Sequence, residues 1–154
     1  MSQNLVWDLF RNPVFITAVT AWFTAQLIKF ILCWAIDRRI DVTRMWGFGG
    51  MPSSHTSFVA SISVAIGLRE GFSSNLFLVA TAFTIVVMAD AQGVRRAAGN
   101  QARVINEIVD ALQHRQAVEQ KKLIELLGHT PIEVLAGFIL GIGVAVAFYY
   151  GIGW

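Results

Sequence analysis

Charged residues are scarce in this chain: Asp, Glu, Lys and Arg make up 14% of its 154 residues, and 55% are hydrophobic. Soluble domains average about 25% charged residues, so the composition argues against an ordinary soluble domain. A soluble all-helical protein with a large core is the alternative, but little polar sequence remains to coat its helices. The sequence therefore favours an integral membrane protein of the inner or plasma membrane.

Other features are scarce as well, and the lack of each argues against a particular structural or functional feature. The single cysteine, Cys33, excludes a disulfide framework. A net charge of +2 is too small to indicate nucleic-acid binding. The first apolar run lacks a preceding basic segment and a following small-residue cleavage site, so no cleavable signal peptide is expected. No internal repeat is visible, and we expect a single membrane domain over residues 1–154.

Four apolar stretches predict an all-α integral membrane bundle with about four spans, at residues 14–36, 52–68, 73–89 and 132–150. A spanning helix needs roughly 17 to 25 mostly apolar residues. The polar segment 90–130 is far longer than an ordinary loop. Its apolar positions, including Val104, Ile105 and Ile108, form a helical stripe. This pattern predicts an amphipathic helical insertion that lies on the membrane or on the bundle.

Basic residues are distributed unequally about these spans. With four crossings, residues 37–50 and 90–130 fall on one side of the membrane. That side collects nine basic residues against two on the other, Arg11 and Arg69. Because basic loops stay in the cytoplasm, this side is predicted to be cytoplasmic.

Three polar motifs fall on that same side, namely "GGMPSSH", "DAQGVRRAAGNQ" and "LGHTPIE". The first and third open spans, and helix N-termini hold anions through their unpaired N–H groups. Each motif also has a purely structural interpretation. Ser53 and Ser54 are typical helix caps, and Thr130–Glu133 has the capping-box pattern. Their convergence at one depth nevertheless favours phosphoryl transfer through histidine, which needs no metal or other cofactor.

In combination, the three motifs resemble the divergent type 2 phosphatidic acid phosphatases, also called acid phosphatase/vanadium-dependent haloperoxidase-related membrane proteins. The resemblance covers nearly the whole chain. It implies a membrane phosphatase that hydrolyses a lipid phosphate or diphosphate. By likeness to the P-S-G-H and H-x3-D motifs of the classical enzymes, His129 would be the nucleophile, His55 the general acid and Glu133 the carboxylate partner.

The sequence departs from the classical pattern at its cationic positions. Leu123 stands where the third motif has arginine, and Ile36 and Asp37 stand where the first motif has R-P after Lys29. We expect Arg95 and Arg96 to replace the missing arginines. The predicted phosphate-binding set then lists Arg95, Arg96, Ser53, Ser54, Lys29, Asp90 and Asn106.

Two other functions remain open on the sequence alone. A non-catalytic phospholipid head-group binding or membrane-assembly protein would need the arginines and helix N-termini but not the histidines. An Mg-dependent membrane hydrolase would draw oxygen ligands from Asp90, Asn106, Glu107 and Glu133. The expected partners are a lipid phosphate and membrane lipids. The small residues Gly137, Gly141 and Ala145 are typical of close helix approach, from which we hypothesise a homodimer.

Overall fold

Helices account for almost all of the chain that the computed structural model describes. The described residues are 5–37, 50–113 and 129–153, without the side chains of residues 5, 6, 36, 37, 94–98 and 111–113. Within these ranges there is no strand. The described helices are α1 (Leu5–Arg11), α2 (Pro13–Asp37), α3 (Ser54–Glu70), α4 (Asn75–Gln113) and α5 (Pro131–Ile152). The predicted all-α membrane bundle is confirmed.

Local sequence signals fix where several of these helices begin and end. The Asn12 side chain accepts the N–H two residues on at 2.9 Å, and Pro13 opens α2. Ser53 caps α3 and Thr130 caps α5, each from an extended backbone conformation. Gly71, at φ +91°, ends α3 in a conformation that residues with a side chain rarely adopt. These caps satisfy backbone groups that the helix ends would otherwise leave unpaired.

The prediction of about four spans needs correction, because among the described residues three helices are long and apolar enough to cross a membrane. They are Pro13–Ala35, Asn75–Gly93 and Pro131–Ile152. The stretch predicted at 52–68 forms α3, which has only 17 residues, or roughly 26 Å at 1.5 Å per residue. Its small hydroxyl residues also lower its hydropathy. Instead of facing lipid, α3 lies inside the bundle and runs from the end where α5 begins to the end where α4 begins, so the chain still changes sides four times.

Helix α3 is the centre of the bundle, in contact with α2, α4 and α5, whereas α4 and α5 touch each other little. Hydroxyl groups link it to its neighbours. Ser57 Oγ donates to the carbonyl of Ala21 in α2 (3.2 Å), and Thr84 Oγ1 in α4 donates to the carbonyl of Val59 (3.1 Å). Interhelical hydrogen bonds of this kind stabilise membrane bundles, and the buried hydroxyls of α3 thereby find partners.

The closest helix contact joins α3 to α5, which run parallel from the same end of the bundle. A Cβ built on Gly137 would collide with the carbonyl oxygen of Ser53, and one on Gly141 would lie 2.5 Å from that of Ser57. Ala145 continues this buried stripe. The close approach predicted from these small residues is thus made within the chain. A homodimer, which stays a prediction, would need another surface.

Helix α4 is longer than the span predicted at 73–89. It runs without interruption for 39 residues and includes the first part of the predicted insertion, residues 90–113. The remainder of that insertion, 114–128, lies outside the described residues. Continuity is favoured locally, because "ADAQGVRRAAGNQARVINEIV" contains no proline and is rich in good helix formers. The amphipathic segment is therefore an extension of a membrane-spanning helix.

We expect Gly141→Ala to destabilise the protein and Gly143→Ala to leave it unchanged. The added methyl group at position 141 meets the α3 backbone, which cannot move aside cheaply, and overpacking of this kind costs about 1–3 kcal/mol. A Cβ at Gly143 meets nothing within 4 Å. Thermal unfolding of the two variants in detergent measures the difference. Equal unfolding midpoints would contradict the α3–α5 contact.

Candidate functional site

A buried histidine and a carboxylate form the core of the candidate site. His129 directly precedes α5, and its side chain is only 3% exposed. Its Nδ1 lies 3.0 Å from Oε2 of Glu133, four residues later. Because an ionised carboxylate can only accept hydrogen bonds, Nδ1 carries the proton, and Nε2 of a neutral imidazole keeps the lone pair. Nε2 has no hydrogen-bond partner among the described residues, as a nucleophile requires.

The capping box at the start of α5 holds the same carboxylate. Glu133 Oε2 accepts the N–H of Thr130 (3.0 Å), while Thr130 Oγ1 accepts the N–H of Glu133 (3.3 Å). The structural and functional interpretations of Glu133 are therefore compatible, since one oxygen serves both the cap and the histidine. With its carboxylate fixed by the helix terminus, Glu133 holds the His129 ring in one orientation.

Backbone hydrogen bonds bring α3 and α4 to this pair. The N–H of His129 donates to the carbonyl of Ala91 in α4 (3.2 Å), and the N–H of Ser53 donates to the carbonyl of Glu133 (3.0 Å). The N-termini of α3 and α5 therefore lie side by side, with α4 passing against them. We call this end of the bundle, which carries Lys29, Ser53, Ala91, His129 and Glu133, the site end.

Lys29 of α2 is the one lysine among the described residues, and it is buried, with 7% of its surface exposed. Its charge interacts with Glu133. However, its ammonium makes no hydrogen bond and no ion pair within the described part of the chain. A buried lysine is costly in a membrane protein, and ionisable residues inside membrane spans commonly serve a function.

Gly50 shapes the surroundings of Lys29 and was not identified from the sequence as a site residue. A Cβ on Gly50 would lie 3.4 Å from both Cγ and Cδ of Lys29, and Gly50 has φ +86°. The backbone at Gly50 therefore packs directly on the lysine stem. The two glycines before Pro52 predicted an interruption between helices. Only the fold shows that Gly50, in this interruption, packs on Lys29.

Two predicted phosphate ligands, Ser53 and Ser54, are buried at the start of α3. Ser53 Oγ accepts the N–H of Thr56 (3.4 Å) and the hydroxyl of Thr56 (3.1 Å). Both lone pairs of Ser53 are thus engaged in capping, and only its hydroxyl proton remains for a ligand. Its clearest contribution is structural, because it fixes the helix terminus beside Glu133.

His55, the predicted general acid, lies apart from the His129–Glu133 pair. It is exposed on the first turn of α3, two positions after Ser53, whose N–H donates to the carbonyl of Glu133. His55 precedes Ser57 by two positions, about 200° of rotation, and the Ser57 face of α3 packs against α5. Its role in proton transfer stays a prediction.

The remaining predicted ligands lie along α4. Asp90 is exposed next to Ala91, and Asn106 is buried. Asn106 comes 15 residues after Ala91, about 22 Å along the helix, so the structure does not bring it to the site end. Glu107 lies beside it, and the four oxygen ligands of the magnesium hypothesis are therefore not gathered. Arg95 and Arg96 lie on α4 about one turn beyond Ala91, but their side chains are outside the described part.

Exposed aromatic residues indicate the depth of the site end. Trp34 is 58% exposed near the end of the α2 span, and tryptophan is enriched at membrane–water interfaces. Lys29 precedes it by five residues, about 8 Å toward the membrane centre. Exposed Trp7 and Tyr150 lie at the opposite end. These positions predict that the site end lies just below one membrane surface.

Comparisons with known proteins agree with a membrane protein built on these motifs. The model of the divergent PAP2 family matches residues 10–144. One relative, the uncharacterized membrane protein YuiD of Bacillus subtilis (strain 168), is 39% identical over 154 residues, covering 93% of this chain and 98% of the relative. No solved structure matches the chain. The family match includes every residue of the site end.

We expect Lys29 and Glu133 to be energetically coupled. Lys29→Met removes the charge but keeps the stem, and Glu133→Gln keeps an oxygen that can cap α5. A double-mutant cycle on unfolding in detergent should give a coupling of about 0.5–3 kcal/mol, the range for residues in one network.

The matched control is the exposed pair Arg103 and Glu107, whose Nε and Oε1 lie 3.8 Å apart with side chains 64% and 69% exposed. Arg103→Met and Glu107→Gln should be nearly additive, because exposed pairs contribute little. Additivity at positions 29 and 133 as well would show that the two buried charges do not interact.

Proposed function

The chain belongs to the divergent PAP2 family, and from this premise we propose that it is a membrane phosphatase acting on a lipid phosphate or diphosphate. The observation that carries the proposal is the buried Lys29 side chain, whose ammonium has no hydrogen-bond partner among the described residues, together with the buried His129 that the half-buried Glu133 orients. A cation and a nucleophile recessed at one depth fit a phosphoryl group attached to a membrane lipid.

In the first step, Nε2 of His129 attacks phosphorus. A bond forms between Nε2 and phosphorus while the bond from phosphorus to the lipid oxygen breaks. Glu133 accepts the Nδ1 proton of His129 in a hydrogen bond, which stabilises the positive charge developing on the ring. Lys29 and the N–H groups at the start of α3 neutralise the phosphoryl oxygens, where charge accumulates in the transition state.

A proton must reach the departing lipid oxygen in the same step. His55 is our candidate donor. Since His55 lies apart from the His129–Glu133 pair, the leaving oxygen has to lie near the N-terminus of α3. In the second step, water attacks the phosphohistidine and gives a proton to His55, the nitrogen–phosphorus bond breaks, and phosphate departs, which returns both histidines to their starting forms. Arg95 and Arg96 are proposed to add the positive charge that Lys29 alone does not provide.

The non-catalytic alternative also has a specific observation in its favour. The capping box alone would hold Glu133 beside residue 129, so the His129–Glu133 contact does not require catalysis. A head-group binding protein would use Lys29 and the helix N-termini and would tolerate loss of the histidines. The two functions therefore differ in their dependence on His129.

We expect purified protein to release phosphate from a panel of lipid phosphates and diphosphates. His129→Ala should nearly abolish turnover while lipid binding stays within a few-fold. His55→Ala should lose about 10²–10⁴ in rate, the usual contribution of general acid–base catalysis, and less with a good leaving group. Lys29→Met should weaken binding and turnover together.

His114→Ala, which removes the third histidine of the chain, serves as the control and should keep its activity. All variants are checked for folding by their unfolding midpoint. Full hydrolysis by a folded His129→Ala protein would exclude the covalent mechanism. Lipid binding without turnover in the wild type would favour the binding protein.

We also propose that the site end faces the cytoplasm, on the basis of the nine-to-two distribution of basic residues. A single cysteine at position 115, in a Cys33→Ser background, should resist a membrane-impermeant thiol reagent in intact cells. A cysteine at position 73, in the turn at the opposite end, should react. The reverse labelling pattern would invert the orientation and leave the site itself unchanged.

A further inference from the structure

The extension of α4 beyond its span presents an apolar face that no described part of the chain covers. Val104, Ile105 and Ile108 are 50%, 47% and 55% exposed. The opposite side of the same segment is packed, with Ala102 at 6% and Asn106 at 4% exposure. The extension is therefore held against the protein by one face and offers large aliphatic side chains on the other.

This exposed face continues the lipid-facing side of the α4 span. Val104 follows Val86 by 18 residues, which is five complete helical turns, so the two side chains leave α4 in the same direction. Val86 is 63% exposed, as is expected of a side chain within a span that is only 11% buried in the bundle. Phe83, at 60% exposure, precedes Ile108 by 25 residues, close to seven helical turns, so these two side chains also leave α4 in about the same direction.

The face is too long to lie entirely in the hydrocarbon layer. From Leu76 to Ile108 it covers 32 residues, about 48 Å at 1.5 Å per residue. The hydrocarbon core is about 30 Å thick. A straight helix would need a tilt of roughly 50° to bury the whole face, which exceeds the usual range of about 0–40°. The distal part must therefore lie outside the core.

Suppose that a helix is tilted toward the side that faces lipid within its span. Where this helix leaves the bilayer, the same side faces the membrane surface. Only an apolar stripe that keeps its direction from the span into the extension can make this contact, and α4 has such a stripe. Asp90 and Gln101, which lie on this face between the two apolar sections, are polar and exposed, as suits the head-group layer.

We propose that Val104, Ile105 and Ile108 rest in the head-group region of the bilayer on the membrane side that carries the site end. The extension of α4 then acts as an interfacial strap. Ala91, at its beginning, accepts the N–H of His129, so the strap and the site share a backbone contact. This inference concerns the membrane contact alone and holds whether or not the protein is a phosphatase.

The test is a nitroxide scan of full-length protein in liposomes, in a Cys33→Ser background. Labels at 104, 105 and 108 should be relaxed by oxygen, which partitions into lipid, more than by an aqueous nickel chelate. Labels at 103 and 107, on the polar side of the same turns, should show the reverse. All five positions are exposed, so the substitutions leave the bundle intact.

Two results would overturn the proposal. Equal access of the nickel chelate to positions 104 and 107 would place the apolar face in water. Spin–spin broadening at 104 or 108 that disappears on dilution with unlabelled protein would show that a second copy of the chain covers the face instead of lipid.

Discussion

The close contact between α3 and α5 determines the geometry of the candidate site. Because Gly137 and Gly141 have no side chains, the two backbones approach until the N–H of Ser53 reaches the carbonyl of Glu133. The parallel helices then begin at the same depth, and their N-terminal N–H groups point toward the same region. Glu133 lies in the turn that makes this contact, so the helix packing also places the carboxylate that orients His129.

Polar groups inside this bundle fall into two classes. The hydroxyls of Ser57, Ser63 and Thr84 are buried along α3 and α4, and each is hydrogen-bonded to a neighbouring helix. The side chains of Lys29 and His129 are also buried, but within the described residues neither the ammonium nor Nε2 has such a partner, and neither atom is fully enclosed. The first class contributes to stability, whereas the second leaves two polar atoms open to water or to a ligand.

Much of the architecture could be predicted from the sequence because its signals are local. Long apolar runs predicted the spans, and the alternation of crossing directions predicted that "PSSH" and "HTPIE" would meet at one end. Three features could not be predicted. The burial of α3, the packing of Gly50 on Lys29 and the contact between Ala91 and His129 all depend on how helices pack. The capping box likewise left open whether His129 would touch Glu133.

The charge balance within the site matters because the sequence lacks the arginines of the classical motifs. Lys29 is the one lysine at the site end, and Glu133 places a carboxylate near it, so these two residues alone are a weak match for a phosphate dianion. Helix N-termini supply only partial charges. Arg95 follows Ala91 by four residues in α4. With Leu123 in place of the usual arginine, α4 is the element from which the missing cation would come, and the same helix already holds His129 through its backbone.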